Sequence, residues 1–424
     1  MALAINAHRL LVITQRGQRL LTSTPPTSAE TWQVCDETND DTLTMIKSKR
    51  YFWAAVCADG GLLVCGQPHK FMDFLFRRNI PVQKMPRAVF GDMPAVSVAC
   101  GAFHALVLTA DGRVFAWGAN YKGQLGLGVQ RSLATPQEVF GKAEVVSSIA
   151  AGDLHSIAIT RGGAVFVWGN GDHGQLGLGD HAELINHNKI ASPTLVPGMV
   201  DAVFAAAGRQ SSMLVDLDGK VWSTGNNMYG QLGHGDRVGR TCFAVISQPD
   251  SFCGQKITGV DCADDHTAAV TTGGDVWTWG SNHTGCLGHH GKNSSLMPTQ
   301  VPPECFGKEV CIASVFCGDE CTAAVSTRGD FFLWGTKRRH VLGHRHRQEL
   351  GSVGGAWRQR ASLPTQIFMH GPVGRGARLA LQHELAFAMV VHARLGRGSV
   401  FFELHAELLQ KILEMCRDLF VVKM

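Results

Sequence analysis

Apolar and polar positions alternate in short runs along most of this chain, and the runs come in pairs. "HALVLT" at 104–109 and "RVFAWG" at 113–118 are one pair, joined by "ADG". Alternation over so few residues reads as strand, and Asp-Gly between two apolar runs is a strong short-range signal for a hairpin. A short apolar stretch precedes the pair ("SVAC", 97–100). A further strand lies ahead of the next one, as in "TPQEVF" at 135–140 and "SPTLVP" at 192–197. The pattern therefore predicts about four short strands per unit.

The unit repeats. "VFAWGANYKGQLGLG" (114–128) returns as "VFVWGNGDHGQLGLG" (165–179), "VWSTGNNMYGQLGHG" (221–235) and "VWTWGSNHTGCLG" (276–288). It is eroded in "FFLWGTKRRHVLG" (331–343), in "LLVCG" (62–66) and most of all in "LLTS" (20–23). Gly66, Gly118, Gly169, Gly225, Gly280 and Gly335 align at spacings of 52, 51, 56, 55 and 55. A period of this size marks a repeat architecture built as one body. A lone four-stranded sheet exposes its apolar faces; packing copies side by side in a closed ring buries them, which is the logic of a β-propeller. The glycines supply positive φ where the chain turns sharply out of one sheet. The recurring Trp117, Trp168, Trp279 and Trp334 are expected to fill space between neighbouring sheets, with Thr224 in that place in one copy.

Composition changes little in this picture. The chain has 424 residues, 45% of them hydrophobic, and 49 glycines that belong to recurring turns. It holds no run of eighteen apolar residues, and its first twenty residues align with the repeats and read as part of them rather than as a leader. Thirteen cysteines include no C-x-x-C pair. Cys100, Cys262 and Cys317 share one repeat position, as small buried hydrophobes would. A reduced, intracellular protein, cytoplasmic or nuclear, is expected.

The motif G-x-x-H, then D-G, then W-G, then G-Q-L-G is specific when it recurs, and in this form it resembles the repeats of the regulator of chromosome condensation family. The resemblance covers roughly 3–395. It implies an all-β fold, a seven-bladed β-propeller of four-stranded blades. An eighth half-copy, "LALQHELAFAMVVHARLG" at 379–396, leaves an eight-bladed ring open, or shares a blade with residues 3–23 to close the ring.

One loop recurs once per blade and gathers on one face: "GAFH" (101–104), "GDLH" (152–155), "GRQS" (208–211), "ADDH" (263–266), "GDEC" (318–321) and "QHEL" (382–385). In the exchange-factor member of the family, acidic and histidine side chains of such loops contact the small GTPase Ran. The matching partner-binding candidates here are His104, Asp153, His155, Asp264, Asp265, His266, Asp319 and Glu320. The histidines equally suit a structural role, bonded within the blades. Exchange in that family depends on a projecting wedge, whereas the turn is retained here as "GQLG" three times and "GCLG" once. The family's plant ultraviolet photoreceptor carries G-W-R-H-T repeats, and no such pentapeptide occurs in this chain.

No G-x-S-x-G, H-E-x-x-H or P-loop is present, and no cofactor is expected. His344 and His346 stand at a spacing that could hold a metal, but in an arginine-rich loop they read as a solvated basic segment. The function expected is a non-enzymatic, protein-binding scaffold that uses the loops of one face. Two alternatives stand beside it: a nucleotide-exchange factor for a Ran-like GTPase, and a recognition module linked to ubiquitin ligation.

The last residues break the pattern. From 401 to 424 the period changes from two to about 3.6, with Phe401, Leu404, Leu408, Ile412, Met415 and Leu419 on one stripe and Glu407 four residues before Lys411. This predicts a C-terminal amphipathic α-helix beside a propeller domain of residues 1–400. The net charge is +4, yet 335–400 carries eleven Lys and Arg against Glu349 and Glu384. That segment is expected to bind an anionic surface or nucleic acid weakly and without sequence preference. Titration of a duplex DNA at rising salt checks it: affinity should fall steeply, and salt-independent binding would contradict phosphate contacts.

Overall fold

The computed structural model describes residues 3–5, 10–13, 20–22, 33–34, 43–49, 52–65, 83–141, 144–181, 188–199, 201–246, 251–307, 309–335 and 361–367. These strands belong to one compact unit, Met1–Val373; a second unit, Gly374–Met424, lies outside the described residues. Six blades run in chain order, each an antiparallel meander of four strands. They are β5 (Leu43–Lys49) to β8 (Gln83–Met85), with β6 (Phe52–Cys57) and β7 (Leu62–Cys65); β9 (Ala95–Cys100), β10 (His104–Thr109), β11 (Val114–Gly118) and β12 (Leu133–Glu138); and β13 (Val146–Ala151), β14 (His155–Thr160), β15 (Val165–Asn170) and β16 (Lys189–Leu195). Then follow β17 (Ala202–Ala207), β18 (Ser211–Asp216), β19 (Val221–Gly225) and β20 (Arg240–Val245); β21 (Ile257–Cys262), β22 (His266–Thr271), β23 (Val276–Gly280) and β24 (Ser295–Gln300); and β25 (Ile312–Gly318), β26 (Cys321–Ser326), β27 (Phe331–Gly335) and β28 (Ala361–Ile367). A smaller sheet precedes them, β1 (Leu3–Ile5), β2 (Leu10–Ile13), β3 (Leu20–Thr22) and β4 (Gln33–Val34); β1 lies against β5 and β25.

This corrects the expected fold. The four-stranded propeller is present, but the described residues make six full blades rather than seven or eight. The N-terminal sheet has strands of only two to four residues. Residues 3–34 contain no Trp-Gly and no G-Q-L-G; 43–85 lack both as well, but that blade has first and second strands of seven and six residues to pair, which 3–34 does not supply. The four described strands of that sheet all come from 3–34. The C-terminal helix is corrected as well. Among the described residues there is no α-helix, only short 3-10 turns such as Arg87–Phe90 and Pro303–Cys305. Residues 401–424, 379–396 and the eleven cations of 335–400 lie outside the described residues.

The core lies between blades. Trp168, Trp279, Trp334 and Trp117 are all buried, and each takes a phenylalanine edge-on or tilted: Phe140 on Trp168, Phe252 on Trp279, Phe306 on Trp334 and Phe52 on Trp117. Each aromatic pair adds about 0.5–1.5 kcal/mol beyond its buried area. The glycines behind the tryptophan find their reason one blade on. A Cβ on Gly126 would stand 2.8 Å from Nε1 of Trp168, one on Gly233 3.0 Å from Nε1 of Trp279, and one on Gly288 2.9 Å from Nε1 of Trp334. The glycine loop of each of these blades is thus the seat for the next blade's indole.

Gly169 shows the backbone side of the same constraint. Its φ is +103°, and a Cβ there would meet the Leu154 carbonyl oxygen at 2.5 Å and the His155 Cα at 2.8 Å. Gly169→Ala should therefore lower stability by about 2–4 kcal/mol. Gly141, with nothing within 4 Å of its added Cβ, serves as the control: Gly141→Ala should stay within about 0.5 kcal/mol. Urea midpoints of the two variants check this, and equal midpoints would refute it.

Candidate functional site

The loops joining first to second strands all open at one end of the blades. Register fixes their equivalence: Gly318 pairs with Cys321 across β25 and β26, and Lys49 pairs with Phe52 across β5 and β6 in the same geometry. "KRYF" at 49–52 is therefore another copy of the loop, one that the motif search misses because glycine and histidine are both replaced.

The three candidate histidines face inward. His104, His155 and His266 are almost wholly buried. Their Nε2 atoms bond hydroxyls of the following blade: Ser156 Oγ at 2.9 Å, Ser212 Oγ at 3.0 Å and Thr322 Oγ1 at 2.9 Å. Those hydroxyls donate onward to backbone carbonyls, Ser156 to Gln124 at 2.8 Å, Ser212 to Gln175 at 2.6 Å and Thr322 to Cys286 at 2.7 Å. The hydroxyl's proton is spent on the carbonyl, so the imidazole Nε2 must donate. Trp168 and Trp279 add their Nε1–H to the carbonyls of Gln124 and Gln231. Where Thr224 replaces tryptophan, its hydroxyl donates to Gly174 instead. The sequence carries a signal for this relay that motif reading overlooks: a hydroxyl residue directly after the histidine position, at 156, 212, 267 and 322. The shared cysteines serve the same junctions. Cys100 Sγ donates to Lys47 O and Cys317 Sγ to Asp261 O, both at 3.3 Å.

The carboxylates collect around one cation. Lys49, 8% exposed, places its Nζ 3.5 Å from Asp153 Oδ1 and 3.8 Å from Asp264 Oδ1. Burial opposes its charge, but the carboxylates of Asp153, Asp264 and Asp319 outweigh burial and raise its pKa. Arg209, exposed, reaches Asp153 Oδ2 at 3.9 Å. Asp265 is pushed up by burial and then by its neighbour Asp264. Asp319 and Glu320 are half-exposed in the adjoining blade. Five candidate carboxylates from three blades thus share the mouth with Lys49 and Arg209. Among the other loop side chains, Phe103 and Tyr121 lie 6.3 Å apart, Tyr229 stands edge-on to His283 at 5.7 Å, and Met228 is exposed. Among the described residues no group of His, Cys, Asp and Glu could hold a metal ion, and His344 and His346 lie outside them.

Models described as "Regulator of chromosome condensation (RCC1) repeat" match residues 111–159, 162–215, 218–270 and 273–325, and also 95–124, 146–175 and 257–286. Together they cover more than half of the chain. The chain belongs to the RCC1 repeat family. Its similarity to the ultraviolet-B receptor UVR8 of Arabidopsis thaliana is 31% identity over 247 residues, 58% of this chain and 54% of the receptor. This chain spans less than two thirds of the curated relatives it matches. Among solved structures, human WBSCR16 superposes with a TM-score of 0.64 at 22% identity, over 85% of this chain and 89% of that one. Prp20p of Saccharomyces cerevisiae, described with its binding to Gsp1p and histones, superposes with a TM-score of 0.61 at 20% identity, over 78% of each. These likenesses establish the RCC1 fold.

The junction histidines of this RCC1-type propeller make its stability depend on pH. Burial, above all, holds His104 and His155 down at about 3 and His266 at about 4, against about 6.5 in an unfolded chain. A depressed folded-state value means that the unfolded state binds protons first. The stability is therefore fully present above pH 6.5 and is lost as pH falls towards 3–4. Between pH 7 and 5.5 the three histidines should together cost about 4 kcal/mol. Urea midpoints at the two pH values check this. His155→Asn should remove part of the dependence, and a flat profile in the parent protein would contradict the burial argument.

Proposed function

We propose that this chain is a non-enzymatic propeller that binds a protein partner through the loops of one face, the partner presenting a basic surface to the acidic mouth. The observation that carries this reading is the gathering of Asp153, Asp264, Asp265, Asp319 and Glu320 from three blades at one end of the ring, where Lys49 and Arg209 are the cations that face them among the described residues. Loop carboxylates have no packing duty there, and unbalanced charge of one sign steers encounter with a complementary surface. In this reading the buried histidines hold the loops, and the carboxylates of Asp265, Asp319 and Glu320 meet the partner. Ten of the described cysteines are free thiols, which supports an intracellular setting. No helix among the described residues is long and apolar enough to cross a membrane.

Exchange on a Ran-like GTPase is the second reading, and the turn geometry weighs against it. The regular turns persist in four successive blades, with Gly123, Gly174, Gly230 and Gly285 donating N–H to Asn120, Gly171, Asn227 and Asn282, and they leave no projecting wedge among the described residues.

Affinity capture followed by mass spectrometry, with the parent chain beside the combined Asp265→Asn, Asp319→Asn, Glu320→Gln variant, tests the proposal. The variant should associate on the order of tenfold more slowly with the captured partner, with weaker salt dependence and little change in dissociation. A partner captured equally by both would move the site elsewhere. Nucleotide release from Ran should not accelerate by as much as about a hundredfold, about 2.7 kcal/mol of barrier; acceleration beyond that would favour the exchange reading.

A further inference from the structure

Lys49 is the feature of the mouth that the repeat does not supply. At its register position the other five full blades carry Gly101, Gly152, Gly208, Ala263 and Gly318, none with a side chain beyond Cβ. Three of these positions are small for a packing reason. A Cβ on Gly101 would stand 2.6 Å from the Gly152 carbonyl oxygen, one on Gly152 2.6 Å from that of Gly208, and one on Gly208 2.5 Å from that of Ala263. The strand ends there press on one another around the ring. The blade of β5 departs from this rule, and its long side chain carries a charge among the loops of other blades.

We propose that Lys49 is the positioning residue of the mouth: an internal counter-ion that holds Asp153 and Asp264, from two other blades, in fixed places and so sets the charge that the face shows to a partner. The geometry that supports this is the Lys49 ammonium placed between Asp153 Oδ1 at 3.5 Å and Asp264 Oδ1 at 3.8 Å, with all three side chains largely withdrawn from water. Among the described residues, the other charged and titratable groups around it are Asp319 in the blade of β25, the rings of His104 and His155, the Cys262 thiol, and Arg209. Arg209 cannot substitute, because it is about half exposed and reaches only the outer oxygen of Asp153, at 3.9 Å. Without the ammonium the two inward carboxylates would lose the positive charge that lies between them, and their mutual repulsion would disfavour ionisation of at least one. The consequence for a partner rests on the reading of this face given above; the role of Lys49 among the carboxylates does not.

The test therefore uses the full chain without a partner. Aspartate carboxyls, labelled selectively with carbon-13, are titrated by NMR in the parent, Lys49→Met and Lys49→Arg. Asp153→Asn and Asp264→Asn spectra provide the assignments. In Lys49→Met at least one of the two carboxyls should titrate at least one pH unit higher, and Lys49→Arg should return it to the parent value. Loss of packing alone would leave both titrations unmoved, and that result would overturn the proposal. Should Lys49→Met not fold, the triple variant Lys49→Met, Asp153→Asn, Asp264→Asn decides. Folding with a melting temperature near the parent's supports charge compensation, and failure of this neutral set to fold overturns it.

Discussion

Each well-formed junction in this ring rests on the close approach of one blade's glycine loop to the next blade's hairpin. The carbonyls of Gln124, Gln175, Gln231 and Cys286 point into the neighbouring blade and are met there by Ser156, Ser212, Thr267 and Thr322. A buried carbonyl left without a donor costs about 1–3 kcal/mol, so the partner hydroxyl is needed where this contact forms. The contact in turn demands glycine, since any Cβ at Gly126, Gly233 or Gly288 would collide with the indole seated there. Loop, hydroxyl and tryptophan are thus one device, and the blades where it is intact are the best-formed.

The functional face inherits its geometry from the same junctions. His104, His155 and His266 sit at the ends of the second strands and tie each loop to the hydroxyl of the next blade. This fixes the loop residues beside them, Asp153 next to His155 and Asp264 and Asp265 next to His266. Histidine and carboxylate are neighbours in sequence but divide the work: the ring is buried and neutral, the acid looks into the mouth. Lys49 then joins carboxylates that the chain places more than a hundred residues apart.

Departures from the repeat follow the same physics. Thr224 in place of tryptophan keeps a donor for a carbonyl of the preceding blade but gives up the indole. Cys286 in place of glutamine keeps the carbonyl that Thr322 needs, since that contact uses the backbone. The N-terminal sheet lacks the device altogether, and none of its strands exceeds four residues.

The sequence by itself determined the strands, the hairpins and the repeat, because the alternation of apolar residues, Asp-Gly turns and glycines at positive φ are local requirements that each copy states in full. It also marked out the acids and histidines of the face, because their loop recurs at a fixed place. The blade count did not follow from copy number, since a worn copy such as 3–34 reads as a repeat whether or not it can bind its neighbour firmly. Nor did the histidine relay, whose donor and acceptor lie more than fifty residues apart in different blades. Lys49 was the least legible of all. Only pairing across β5 and β6 shows that "KRYF" is the worn copy of "GAFH", and only the closure of the ring brings its ammonium to Asp153 and Asp264. Charge acts through space, and the tertiary structure alone decided which charges share it.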